Sequence, residues 1–575
     1  TVTLAQNFNA AGNRTELKAT IGSTLDFRNT YQFDTLGRVT EMIQQSQVGG
    51  NAVTAKRAAF AYNKLNQRTS VTRYQSTGTS NFVATTDYTY DTVNRLSGLT
   101  HKQSSTTLAG YTYGYDGLSR LTGVTSTIEG LSTYTYDATS QVVGADHAAG
   151  GQADETYGFD LNGNRNTSGY TTSTNNHTTA DPGFTYTYDD QGNRTSRTET
   201  STGKVTEYSW DHRNRLVTVK DRNTAGGSVV KQVDYAYDAF NRLVKRTFDA
   251  DGAGAGAATN QYWVYDEGIN AVLQLDGPAA SNLSHRYLWS DRVDELMADE
   301  TVGSGADTLY ALRDHLGTIR DIANFNESTS VTSVTNHRTY NSFGKLVSET
   351  NAAVDLIFGY TGKQLDEATS LQHNLFRWYD SSLGQWLSED PMGFAAGDEN
   401  LRRYVGNKTI GSTDSSGLVE DPPTPLPSQE TEARMQELQR MINENQALLA
   451  KLGQIKAAQE RVERESHDLI RKWGKDMEDR WRKQYQSNNP TPTPAPPITA
   501  PPLLAPPTIR NPLGNYPTSP ITNSTMPPPP NYSYPPPPVW QTIPNGGQRI
   551  YQGPGNTWTT QPPPIPTTNP WKYKK

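Results

Sequence analysis

The sequence predicts a mainly β protein made of repeated hairpins, followed by a helical segment and a proline-rich tail. Three observations predict it. A short aromatic-x-aromatic-Asp cluster recurs along the first half of the chain, each copy followed within a few residues by Gly, Asn or Ser, then Arg or a polar residue, then an aliphatic. The chain holds 31 Tyr, so each repeat carries large amphipathic side chains that suit strands. Proline is nearly absent from the first 420 residues, where only Pro182, Pro278 and Pro391 occur, and abundant afterwards.

The copies of the cluster lie between residues 31 and 243. They read "YQFDTLGRV" (31–39), "YTYDTVNRL" (88–96), "YGYDGLSRL" (113–121), "YTYDATSQV" (134–142), "YGFDLNGNR" (157–165), "YTYDDQGNR" (186–194), "YSWDHRNRL" (208–216) and "YAYDAFNRL" (235–243), with a weaker "FAYNKLNQR" (60–68). The aromatic pair alternates with period two, the signature of a strand. Asp binds its own downstream backbone, and Gly or Asn accepts a positive φ, so "D-x-x-G/N-R" is turn chemistry. The aliphatic run that follows resumes a strand. One hairpin cannot bury a face by itself, so neighbouring copies must pair into a long sheet. Repeated Tyr and Asp have alternative uses, in sugar stacking and cation binding, but packing and turn formation account for both in every copy.

The totals narrow the function classes. Net charge is -7, which does not suit a general binder of the nucleic-acid backbone. There is no Cys, so disulfides, thiolate–zinc sites and cysteine catalysis are excluded. No run of 18 apolar residues occurs, so no membrane-spanning helix is expected. The nine His are scattered without HxH or HxxxH spacing, and neither a metal site nor a cofactor is assigned. The chain begins at Thr1 in mid-pattern and reads as the C-terminal part of something longer, with any export signal outside it.

Over roughly residues 25–418 this pattern resembles the YD repeat of the RHS proteins. That family includes polymorphic toxins, the shell component of insecticidal toxin complexes, wall-associated bacterial proteins and teneurins. The resemblance implies a β-sheet that spirals into a hollow shell. The array is assigned to residues 1–308. From 309 the pattern changes, and "FGYTGKQLDEATSLQHNLFRWYDSSLGQWLSEDPMGFAAGDENLRRYVGNKTIGSTDSSGL" (358–418) is similar to the core domain that closes such shells, here assigned to 309–418. The resemblance implies that this domain is an aspartyl autoprotease acting once in cis. It implies a scissile bond between Leu418 and Val419, with the C-terminal segment left inside the shell as cargo.

The residue chemistry is compatible with that. Two carboxylates in a confined site cannot both ionise cheaply, so one serves as base and the other as acid. Asp390, in "SEDPMG", and Asp414, in "TDSSGL", are the candidates, each with Gly three residues on. Arg377, in "RWYD", is the candidate that holds one carboxylate ionised. The alternative is that both Asp residues only cap turns. The family's second motif usually reads Asp-Pro-x-Gly. Here Ser415 replaces the proline, which permits the turn without enforcing it.

Residues 419–427 read as a proline-rich linker. Residues 428–486 read as helical, with apolar residues spaced by three and four from Met435 to Met477 and with Ser428 as a cap. Residues 487–575 are low-complexity proline-rich sequence, expected to be extended and unpacked. No nuclease-like His cluster or phosphate-cradling glycine loop appears in this C-terminal part. Two functions therefore compete for a secreted or cell-surface chain. One is a shell that encapsulates and self-cleaves its own C-terminal segment. The other is a non-enzymatic scaffold for adhesion, wall association or carbohydrate binding.

Overall fold

A computed structural model of the chain describes residues 1–421 except 149–151, 304 and 355, together with positions 461, 472, 475, 479 and 480 and the backbone of 551–552 and 558–559. The expected helix over 428–486 and tail over 487–575 fall outside the described residues apart from those few positions. Positions 461, 472, 475, 479 and 480 are helical, and Tyr551–Gln552 pairs antiparallel with Trp558–Thr559. Thr1–Arg471 forms one compact unit and Lys472–Lys575 a second. The first unit holds the large sheets.

The strands run as antiparallel meanders, each bonded to its neighbours in sequence. A 13-stranded sheet extends from Val2–Phe8 to Glu155–Thr156, and a 16-stranded sheet from Thr171–Thr172 to Leu346–Glu349. A 4-stranded sheet, Gln364–Asp366 to Gln385–Trp386, comes next. The 16-stranded sheet passes through residues 308–309 without a break, inside the strand Thr308–Arg313.

One local device recurs through both large sheets. At Asp34, Asp91, Asp116, Asp211 and Asp238 the carboxylate Oδ1 accepts the backbone N–H groups two and four residues on. The other oxygen accepts Nε–H of the Arg four residues on, at 2.6–2.8 Å. The residue three after each Asp is left-handed: Gly37, Asn94, Ser119, Asn214 and Asn241 have φ between 56° and 78°. That conformation is why the motif favours Gly or Asn there.

The same Arg ties its hairpin to the next. Arg95, Arg215 and Arg242 each donate to the carbonyl of the Asp that opens the following turn, at 2.8–3.2 Å. Their guanidinium groups lie over Tyr115, Tyr237 and Tyr265 of the following hairpin, 4.6–5.2 Å from the ring centres. The second aromatic of each pair reaches back the other way. Tyr90, Tyr115, Tyr237 and Tyr265 donate to the carbonyls of Arg68, Leu96, Leu216 and Leu243, and Trp210 Nε1–H replaces the hydroxyl by donating to Arg194 O. The first aromatic is buried at Tyr113, Tyr186, Tyr208 and Tyr235 and half-buried at Tyr31, Tyr88, Tyr134 and Tyr157, and the residue between the pair is exposed in each of these copies except at Gly158. The aromatics that a carbohydrate-binding reading would use are thus taken up in packing.

The two large sheets share a core in which Val39, Met42, Phe60 and Val71 of the first meet Leu288, Met297, Leu312 and Phe325 of the second. Buried ion pairs register them. Arg286 grips Asp26 with two bonds of 2.7 and 2.9 Å, and Arg68 reaches Glu295 at 2.6 Å. Such pairs add little net stability but make misregister costly, because a shifted strand leaves a buried charge unpaired.

The segment after Glu349 is bolted onto both sheets. Arg194 pairs with Asp380 and Arg246 with Asp366, both at 2.7 Å. Asn407 donates to Gln141 Oε1 and Asn400 to Asn164 Oδ1, each at 2.8 Å. Gln141 and Asn164 sit where other copies carry the tying Arg. An amide offers an acceptor and Arg does not, so these two departures from the pattern let their copies receive the segment after Glu349.

Tyr90→Phe removes one hydrogen bond to a backbone carbonyl and is expected to cost about 1 kcal/mol. Tyr237→Phe also deprives Trp378 Nε1–H of its acceptor, 2.8 Å away, and is expected to cost about twice that. Urea midpoints at unchanged m-value measure both.

Candidate functional site

The segment after Glu349 brings the three predicted site residues together. Arg377 opens the strand Arg377–Asp380, reached through a tight turn in which Leu375 has φ 49°. It stands opposite Asn374 on the preceding strand. Its guanidinium packs on the Trp386 ring at 4.2 Å, which fixes its plane and keeps water off one face. Asp390 lies beyond the strand Gln385–Trp386. Its Oδ1 accepts Met392 N–H at 2.8 Å, and its carbonyl accepts Gly393 N–H at 2.8 Å. Pro391 sets the first angle of that turn.

Asp414 closes a second turn. Its Oδ1 accepts the N–H of Gly417 at 2.8 Å, the N–H of Leu418 at 3.1 Å and the Ser416 hydroxyl at 3.0 Å. Gly417 has φ +75°, and a Cβ there would lie 2.5 Å from Asn374 O, so the position admits only glycine. Both aspartates therefore cap turns, and both also converge on one charge. Arg377 Nη2 lies 2.8 Å from Asp390 Oδ2 and 3.4 Å from Asp414 Oδ2. The same guanidinium donates from Nε to Gly417 O and from Nη1 to Leu401 O.

Arg377, Asp390 and Asp414 are all buried. Burial pushes the Asp414 carboxyl up to about 6, the nearby charges of Asp421 and Asp390 add to the rise, and Arg377 opposes it. Burial also pushes Asp390 up, against the pull of Arg377. One guanidinium thus serves two carboxylates, and the one it holds at the shorter distance is Asp390.

The expected cleavage residues lie against this constellation. Leu418 is buried with Met392, beside Phe376 and Val419. Val419 is half-buried and Glu420 exposed, so the chain leaves the interior here. Two contributors carry no mark in the sequence. Asn374 donates to Asp414 O at 2.7 Å, and nothing in "LQHNLF" signals it. Asp421 accepts from Ser415 and Thr413, a contact that only the folded loop reveals. Among the described residues no group of His, Asp or Glu is arranged to hold a metal ion.

Comparisons with known proteins match two stretches of the chain. Residues 188–229 match the RHS repeat family and residues 283–403 the teneurin YD-shell family. Double-stranded DNA deaminase toxin A of Burkholderia cenocepacia is 25% identical over 253 residues, covering 41% of this chain and 17% of that protein. The probable deoxyribonuclease RhsB of Dickeya dadantii is 26% identical over 206 residues, covering 36% of this chain and 13% of its own length. The solved structure of TcdB2-TccC3-TEV superposes with a TM-score of 0.56 at 17% identity, over 72% of this chain and 21% of that one, a likeness of fold alone. The chain spans less than a quarter of the length of each.

Arg377→Met leaves two buried carboxylates without their counter-charge. The expected loss is about 3–5 kcal/mol, read as a fall in the urea midpoint. Adding Asp390→Leu to the same chain should recover part of it, because one orphaned charge is then gone.

Proposed function

We propose that this chain, an RHS/YD-repeat protein by its matches at residues 188–229 and 283–403, is the closing part of a toxin-type shell that cuts itself once, after Leu418. The residues from Val419 onward are then a separate cargo held by the shell. The observation that carries this reading is the convergence of Asp390 and Asp414 on Arg377 Nη2, with Asp414 bonded to the N–H of Leu418 itself. The relatives named above are toxins or nucleases by name, and they support a delivery role for the shell without identifying this chain's cargo.

In this mechanism Asp390, the carboxylate nearer the guanidinium, is the ionised base and Asp414 the neutral acid. A water adds to the Leu418 carbonyl carbon as its proton passes to Asp390. The tetrahedral intermediate collapses, the C–N bond breaks, and Asp414 gives its proton to the Val419 nitrogen. Leu418 ends as a carboxylate and Val419 as an amine. Arg377 bonds to Gly417 O and so anchors the peptide that precedes the scissile one. Reaction occurs once per chain, because the substrate is the chain's own junction.

The test follows freshly synthesised chain over time between pH 5 and 8. An acid with its proton affinity near 6 is protonated below that pH and ionised above it, so the cleavage rate should fall about tenfold per pH unit above pH 6. Asp390→Asn and Asp414→Asn should each slow cleavage by about 10²–10⁴-fold. Equal rates in the parent and both variants would remove the two aspartates from the chemistry.

A further inference from the structure

Past the proposed scissile bond the chain surfaces at Glu420, and Asp421 then turns back to residues 413 and 415. Its Oδ2 accepts Ser415 N–H at 2.7 Å and the Thr413 hydroxyl at 2.9 Å, and its Oδ1 accepts the Ser415 hydroxyl at 2.9 Å. Its own N–H donates to Thr413 O at 2.7 Å. Four hydrogen bonds therefore close residues 413–421 into a loop, with Leu418–Val419 inside it. Asp414 is flanked in sequence by the two residues that bind Asp421.

We infer that Asp421 is a positioning residue for self-cleavage, a clamp on the far side of the scissile bond that holds the Leu418–Val419 peptide against Asp414 and Arg377. The inference rests on the self-cleavage reading above. Two of the four contacts come from Ser415, through its N–H and its hydroxyl. A proline at 415 has neither donor and instead fixes φ near −65°, so it stiffens the same turn from within. Serine leaves the turn free, and Asp421 supplies from across the loop the order that serine does not. Hydrogen bonds to an ionised carboxylate are the strong kind. Ser415 is buried and Asp421 half-buried, which shields these bonds from solvent. After cleavage Asp421 belongs to the released piece. The clamp then becomes a non-covalent tether that keeps the new Val419 terminus docked.

Two measurements on the full chain test this. The first uses an Asp390→Asn background, in which the junction stays intact, and reads amide hydrogen exchange of Ser415 with and without Asp421→Ala. Loss of the clamp should speed that exchange about tenfold or more. The second reads single-turnover cleavage in a double-mutant cycle. Asp421→Ala should slow cleavage about tenfold with Ser415 in place and less than about twofold with Ser415→Pro, because the proline makes the external clamp redundant. Asp421→Asn, which keeps an acceptor oxygen, should fall between parent and Asp421→Ala. Unchanged Ser415 exchange, or equal slowing in both Ser415 and Ser415→Pro chains, overturns the inference. A parent that never cleaves refutes the self-cleavage reading and the positioning role with it, whereas the exchange measurement then still decides whether Asp421 closes the loop.

Discussion

The fold depends on one aspartate per hairpin. Its carboxylate binds two backbone N–H groups and, in most copies, the Arg four residues on, so a single side chain closes the turn and aims the guanidinium. That guanidinium then covers the next hairpin's aromatic and bonds to the next turn. Each repeat is thereby registered against its neighbour by contacts that are local in sequence. A meander of 13 strands and another of 16 can grow this way without a long crossover. Register between the two sheets is a separate problem, solved by buried charges such as Arg286–Asp26.

Much of this is legible in the sequence because the device is local. Asp, the left-handed residue and Arg lie within five positions, and each residue type has one physical reason to be there. The first turn is not legible as a copy, although Asn9 accepts the N–H groups of Ala11 and Asn13 in the same way and Gly12 is left-handed. The aromatic pair that marks the other copies is absent there. The long-range contacts are not legible either. Nothing in "SQV" or "GNR" says that Gln141 and Asn164 will accept from Asn407 and Asn400, more than 200 residues on.

The same contrast divides the candidate site. Arg377, Asp390 and Asp414 stand out through similarity and carboxylate chemistry, and the fold brings all three together. The two readings of the aspartates, turn caps or reacting groups, do not exclude one another. Capping uses Oδ1 of each residue, and Oδ2 is left to face the guanidinium. Turn formation thus positions the oxygens that the proposed chemistry needs. Asn374 and Asp421 stay hidden in the sequence because their roles are set by which backbone groups the folded loop presents.

The abrupt change in proline content past residue 420 coincides with the place where the chain leaves the buried site. Leu418 is 1% exposed and Glu420 is exposed two residues later. The cut proposed after Leu418 gives that boundary a chemical meaning. Intact-mass spectrometry of the freshly made chain under denaturing conditions tests this most directly. Two species, Thr1–Leu418 and Val419–Lys575, are the predicted result. A single uncut chain of 575 residues, or a cut at any other bond, would contradict the account.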